Sequence, residues 1–246
     1  SYGGTDVNNY TITDQASTTA DIAVKALTAT ASASNKTYDG TTTATTTLTF
    51  SGLVGSETLG QTVGSTFNNK NVGTGKTVTV NSITLADGTG LAANYSISPG
   101  QTTTADITAK SLTVSGITAS NKTYDATTTA TLNTGSVTYT GLVSGDVFNG
   151  TYTGAFSDKN VGTGKTVTIT PSYTGADVSN YSVTDHSTVT ANITTKALTV
   201  SGITALDKGY DGNATATLDT SLINYGGLVS GDTLTGTYSG VFDNAN

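Results

Sequence analysis

The sequence predicts an all-β protein, a rod-like tandem array of small β-sandwich or β-grasp-like domains of about 86 residues each. Three observations carry this expectation. Short runs alternate Val, Ile or Leu with Thr, as at 77–80, 112–114, 166–169 and 198–200, which is the period of a half-buried strand. Thr alone fills 57 of 246 positions, with 24 Ser and 29 Gly. Thr, Gly and Asn are poor helix residues, so essentially no α-helix is expected. Finally, the rare residues return at a fixed spacing.

That recurrence organises the whole chain. Asn35-Lys-Thr-Tyr-Asp-Gly40 returns as Asn121-Lys-Thr-Tyr-Asp-Ala126 and as Asp207-Lys-Gly-Tyr-Asp-Gly212, so Tyr38, Tyr124 and Tyr210 are 86 residues apart. Lys70-Asn-Val-Gly-Thr-Gly-Lys76 returns as Lys159-Asn-Val-Gly-Thr-Gly-Lys165, and Asn94-Tyr95 as Asn180-Tyr181. Every Lys falls in such a slot: Lys25, Lys110 and Lys196; Lys36, Lys122 and Lys208; Lys70 and Lys159, with Ala245 next; and Lys76 with Lys165. A residue type used once per repeat does a per-repeat job, whereas a single active site would appear as a unique cluster. The period is that of a small domain, longer than the ~20–45 residues of a solenoid coil.

Within the middle copy, strands are expected at 112–117, around a turn at 124–132, and at 137–140, 151–156, 165–170, 181–184 and 188–193. Ile193-Thr-Thr-Lys-Ala-Leu-Thr-Val200 holds no Gly or Pro, so the last strand of one copy should run almost directly into the first of the next. The domains are then 25–109 and 110–195 as complete repeats, 1–24 as the end of another and 196–246 as the beginning of a further one. Ser1-Tyr2 aligns with Ser172-Tyr173 and Asn246 with Asn160. The chain is therefore expected to be a window on a longer repetitive polypeptide, the alternative being chains that join head to tail and share strands. No basic and apolar leader is expected at its start.

The Tyr-Asp-Gly motif, the Lys-Asn-Val-Gly-Thr-Gly-Lys stretch and the Lys-Ala-Leu-Thr-Val opening together resemble the YDG-motif repeat domain of very large bacterial surface and secreted proteins. Many of those are similar to filamentous-haemagglutinin-type adhesins exported by two-partner secretion. Tyr38, Asp39 and Gly40 match the motif, as do Tyr210, Asp211 and Gly212. Tyr124 and Asp125 match, but Ala126 departs from the glycine. The resemblance implies a non-enzymatic spacer, stalk or filament segment outside the cell, in an adhesive or biofilm context.

Composition excludes much else. The net charge is −7 and the chain has no Arg, which argues against phosphate-backbone binding and hence nucleic acid. No Cys is present and His186 is the one His, so thiolate chemistry, disulfides and paired-histidine metal sites are out of reach. No apolar run approaches the ~18 residues of a membrane-spanning helix. The absence of any unique constellation of nucleophile, base and orienting group predicts that the protein is not an enzyme, and no cofactor or metal is expected.

Each tempting site also has a plainer reading. The motif's Asp and Gly suit a turn, with Asp bonding nearby backbone and Gly at positive φ. The tyrosine would lie over the edge of its own repeat's core with a solvated hydroxyl, and Ala126 argues against a strict backbone demand. Gly73-Thr-Gly75-Lys76 and Gly162-Thr-Gly164-Lys165 superficially match a phosphate loop, but a strand pattern follows where that loop requires a helix. The lysines, with the acid slot Glu57, Asp146 and Asp232, could supply an isopeptide staple; sheet-edge protection and solubility explain them more simply. Calcium would need three or more clustered oxygen ligands, and no Asp-x-Asp-x-Asp run occurs. The eight Asn-x-Ser/Thr triplets, Asn35 and Asn121 among them, are about what so Thr-rich a chain gives by chance. Expected partners are further copies of the repeat. A glycan or a host or cell-surface protein is the alternative, in which each repeat is a binding module.

Overall fold

The computed structural model describes residues 1–244; Ala245 and Asn246, the counterparts of Lys159 and Asn160, lie outside the described residues. The protein is all-β. Its helical pieces among the described residues are single 3-10 turns at Val7–Asn9, Ala92–Asn94 and Val178–Asn180, each just before an Asn-Tyr landmark's tyrosine. The chain divides into two compact units, Ser1–Thr108 and the residues from Ala109 onward.

In the first unit, a five-stranded sheet runs in the order Lys36–Thr37, Thr102–Thr108, Gly73–Asp87, Leu59–Phe67, Thr43–Ala44. The first pair is parallel and the others antiparallel. Beside it, Lys25–Ala26 pairs parallel with Tyr95–Ser96, and Thr28–Ala33 pairs antiparallel with Thr46–Ser51.

The second unit repeats the plan. Its five-stranded sheet is Lys122–Thr123, Thr188–Thr194, Gly162–Thr174, Asn149–Phe156, Thr129–Ala130. A three-stranded sheet places Lys110–Ser115 between Thr138–Thr140 and Tyr181–Thr184, the latter parallel. Thr118–Ala119 pairs with Leu132–Asn133. The third copy, in the same unit, forms the ladders Thr199–Ser201 with Asn224–Gly226, Thr204–Ala205 with Leu218–Asp219, and Thr215–Ala216 with Gly240–Val241.

The alternation works as the period-2 rule requires. Along Thr188–Thr194 and Gly162–Thr174, Ala191, Ile193, Val167 and Ile169 are buried while Thr168, Thr188 and Thr194 are exposed. Phe156, Val167, Ala191, Ile193 and Ala130 form one cluster in the second copy. Leu112 and Val114 of the smaller sheet are buried, and so is Ile117 just beyond it. Each of the Val, Leu, Ile and Phe side chains contributes on the order of 1.5–3 kcal/mol by leaving water, so a Thr-rich chain of modest hydrophobic content still builds a core in every complete copy. Pro171 sits where Gly162–Thr174 has passed the end of its ladder with Thr188–Thr194 and keeps one neighbour, Asn149–Phe156. That is a position where a missing backbone donor is tolerated.

Two expected strands are corrected. The strand expected over 112–117 covers Lys110–Ser115, because Gly116 turns the chain at φ 85°. The single strand expected beyond Tyr124 is two short pieces, Thr129–Ala130 and Leu132–Asn133, and Lys122–Thr123 precedes the turn. The parallel pairing of the first and last segments of each complete copy has no forerunner in the sequence reading.

Candidate functional site

The densest polar chemistry in the molecule is the turn after Lys36–Thr37 and its two repetitions. Lys36 enters on a strand fixed by parallel pairing with Ile107 and Thr108. Its Nζ lies 2.8 Å from Asp39 Oδ1 and donates to the Thr41 carbonyl at 2.9 Å, the Thr41 hydroxyl at 3.1 Å and the Thr43 carbonyl at 3.0 Å. Asp39 Oδ1 also accepts from the Thr41 amide at 2.9 Å and the Thr41 hydroxyl at 2.8 Å. The Lys36 ammonium stands 5.6 Å from the centroid of the Phe67 ring, an attractive placement for a cation.

The second copy reproduces this closely. Lys122 is 2.7 Å from Asp125, donates to Thr127 O, Thr127 Oγ1 and Thr129 O at 2.8, 2.9 and 3.1 Å, and lies 5.6 Å from the Phe156 centroid. In the third copy Lys208 is 2.9 Å from Asp211, bonds Asn213 O and Asn213 Oδ1, and lies 5.6 Å from the Phe242 centroid. The lysine is thus the hub of the turn. Lys36 and Lys122 do lie on edge strands, as expected, but they do more than guard them: an ammonium has three donors, and backbone carbonyls of the turn accept from it in all three copies.

The carboxylates respond to their surroundings. Hydrogen bonds from Lys122, then from the Thr127 amide and hydroxyl, lower the Asp125 carboxyl to about 2. At Asp39 partial burial pushes upward, but the bonds from Lys36 and Thr41 outweigh it and the net shift is down. Asp211 is lowered by Lys208 and the Asn213 amide.

Gly40 and Gly212 sit at φ 79°, and Ala126 at φ 64°. Ala126 is the one non-glycine among the described residues with a positive φ. The departure from glycine therefore does not show a relaxed backbone demand. The left-handed conformation persists, held by the Lys122–Asp125–Thr127 bonds, and alanine carries the steric cost.

The other recurring motifs are tied to the same turn. The Asn35 side-chain carbonyl accepts from the Asp106 amide at 2.7 Å, and Asp106 Oδ1 accepts from the Gly75 amide at 2.7 Å. In the second copy the Asn121 carbonyl accepts from Asn192 N and Asn192 Oδ1 from Gly164 N, both at 2.7 Å. Lys76 donates to Asn69 and Lys165 to Asp158, each at 2.7 Å. The Gly-Thr-Gly-Lys segment is a bulge at the start of a long strand, with the register shifting between Gly162 and Lys165. As Asn-x-Thr triplets, Asn35 and Asn121 are no more than chance in so Thr-rich a chain. Their shared 86-residue period with the Tyr-Asp-Gly motif was the signal that could have found them.

The three motif tyrosines differ in environment. Tyr38 is buried at 1% exposure and Tyr210 is 79% exposed. Lys70 Nζ lies 5.8 Å from the Tyr38 ring centroid. Tyr124 is half-buried, its amide donating to Thr194 O at 2.9 Å and its hydroxyl to Asp232 Oδ1 at 3.1 Å. The Asp232 carboxylate beside it raises the Tyr124 phenol. The expected solvated hydroxyl is thus corrected: at Tyr124 it is bonded, and Tyr38 is enclosed.

The acid slot also binds tyrosines outside the motif turn. Glu57 accepts from the Tyr95 hydroxyl, and Asp146 from Tyr181 at 2.5 Å. A separate aromatic group surrounds Phe148, with Tyr139, Tyr173 and Tyr181 centroids 5.0–5.8 Å away. Burial, then the bond to Asp185, raises the Tyr173 phenol. Among the described residues no group of three or more His, Cys, Asp or Glu is placed to hold a metal ion.

A family model described as the YDG domain matches residues 23–105, 108–191 and 194–246. No curated protein and no solved structure matches the chain.

Proposed function

Starting from a chain that belongs to the YDG domain family and carries three copies of that domain, we propose that it is a non-enzymatic spacer, stalk or filament segment of a large secreted bacterial adhesin, working outside the cell. The observation that supports this most is how the motif residues are used. Lys36, Lys122 and Lys208, with Asp39, Asp125 and Asp211, close the same turn in every copy, and each ammonium also reaches turn carbonyl groups. Residues whose bonds are spent on their own backbone in this way hold a fold and leave little to offer a substrate. Thr-rich outer faces and low charge suit an exposed segment that separates other parts of a larger protein.

Two measurements test the reading. Surface proteolysis and fractionation of cells that make the protein should find it outside the cytoplasm. A glycan and surface-protein array probed with the full chain should show no saturable ligand. Saturable binding that is lost on Asp125→Ala while the second copy stays folded would favour the alternative, in which each repeat is a binding module for a glycan or a cell-surface protein.

A further inference from the structure

Most of the polar groups of the repeat are satisfied inside it, but one set reaches from the second copy to the third, within the second compact unit. The Tyr124 hydroxyl donates to Asp232 Oδ1 at 3.1 Å, and Lys159 Nζ lies 3.9 Å from the same oxygen. Tyr124 and Lys159 belong to the motif turn and the Lys-Asn-Val-Gly loop of the second copy. Asp232 ends the Leu228-Val229-Ser230-Gly231-Asp232 loop of the third, a loop closed by the Asp232 amide donating to Val229 O at 3.0 Å. Around the pair, Val161 from one side and Leu198, Leu228 and Val229 from the other line a shallow apolar cleft.

We infer that Tyr124 is a latch between the second and third copies, and that the surface it fits is the Leu228–Asp232 loop of the copy that follows. Three features support this. First, the donor residue is anchored: the Tyr124 amide is bonded to Thr194 O and its side chain packs on the second copy's core, and Thr194 ends the strand from which the chain continues through Thr195 and Lys196 into the third copy. The latch therefore adds a second point of attachment beside the covalent link, which restricts pivoting about that link. Second, the bond is charge-assisted, phenol to carboxylate, with a lysine nearby, and such bonds are stronger than neutral ones. Third, the acceptor loop is built to present its acid. In the first copy Glu57 and the Val54 amide hold the Tyr95 hydroxyl, and in the second Asp146 and the Val143 amide hold that of Tyr181. A carboxylate accepts on two oxygens, and in the third copy Asp232 uses one of them for Tyr124 of the second.

The latch does not depend on secretion or adhesion, and it gives Tyr124 a role beyond packing on the core of its own copy. Hydrogen exchange on the full chain tests it. Tyr124→Phe keeps the ring and removes the donor, and exchange at residues 228–232, in the other copy, should quicken about tenfold. The core amides of strand Gly162–Thr174 should not change. Asp232→Asn should quicken exchange at the same loop, and the double variant should add nothing further. Unchanged exchange at 228–232 in Tyr124→Phe, with the second copy's core still protected, overturns the inference. If Tyr124→Phe loosens the second copy itself, Asp232→Asn decides: quickened exchange at Thr195–Lys196 supports the latch, and no change there overturns it.

Discussion

Replacing Ala126 by glycine should stabilise the second copy, although it removes a methyl group and adds backbone freedom. Ala126 holds φ 64°, where its counterparts Gly40 and Gly212 hold 79°. A residue with a Cβ in this left-handed region bears about 1–2 kcal/mol of steric cost, which glycine escapes. Against that gain, glycine loses about 0.5–1 kcal/mol through the greater entropy of the unfolded chain. The alanine methyl is half-buried, and half of a fully buried carbon's contribution is about 0.4 kcal/mol. The balance favours Ala126→Gly by about 0.3–0.4 kcal/mol at the centre of these ranges. Native-state hydrogen exchange reads it best, because strand Gly162–Thr174 reports the second copy while strand Gly73–Asp87 serves as an internal reference. Slower exchange in the first strand alone is the expected result. The reverse substitution, Gly40→Ala, meets the same opposing contributions with reversed sign and should cost the first copy a few tenths of a kcal/mol, up to about 1 kcal/mol. If Ala126→Gly instead loosened the second copy and Gly40→Ala were neutral, the turn would impose no backbone demand and the reasoning from φ would fail.

Other expectations follow from the same turn and from the core. Lys122→Ala removes the donor shared by Asp125, Thr127 and Thr129 and should cost the second copy about 1–3 kcal/mol, read as a lowered denaturation midpoint; Lys122→Arg should recover little, because the fork of a guanidinium does not match three acceptors arranged around one nitrogen. The Asp125 carboxyl is lowered to about 2 in the folded chain, below its unfolded value of ~3.9. Its stabilising contribution is therefore complete above the unfolded value and is lost as pH falls from about 4 through about 2, with Asp39 and Asp211 acting in the same direction. Acid titration followed by circular dichroism should show a loss in that window that Asp125→Asn makes shallower. Phe148→Ala, at the centre of the tyrosine group, should cost about 3–5 kcal/mol and should be visible as changed tyrosine ellipticity in the near ultraviolet.

How much was legible in the sequence depended on whether a feature is local. Alternation of Val and Ile with Thr places the strands at 165–170 and 188–193 because side-chain period follows directly from strand geometry. The parallel pairing of Lys36 with Ile107 was hidden because it joins segments far apart along the chain, and nothing in either segment names its partner. The Asn35 bond to the Asp106 amide was masked by composition: in a chain so rich in Thr, a triplet with Thr at its third position carries little information. Ala126 misled for another reason. A sequence records which residue occupies a position and not the dihedral angles it must adopt, so a strained residue resembles a tolerated one. The lysines were seen to recur, but their acceptors are backbone carbonyls, which no sequence pattern distinguishes. Tyr124 and Asp232 each stood out as periodic, yet their pairing across a repeat boundary follows only from how the copies are placed within the second unit.

The central claim is that the Tyr-Asp-Gly motif holds the fold and is not a ligand site. The most direct test is to substitute Asp39, Asp125 and Asp211 by Ala, singly, in the full chain, and to measure in the same samples the exchange protection of each copy and binding across a glycan and surface-protein array. The account predicts that each substitution weakens the copy that carries it, and that the unsubstituted chain shows no saturable binding for the change to abolish. Unaltered protection together with the loss of a saturable ligand would contradict it.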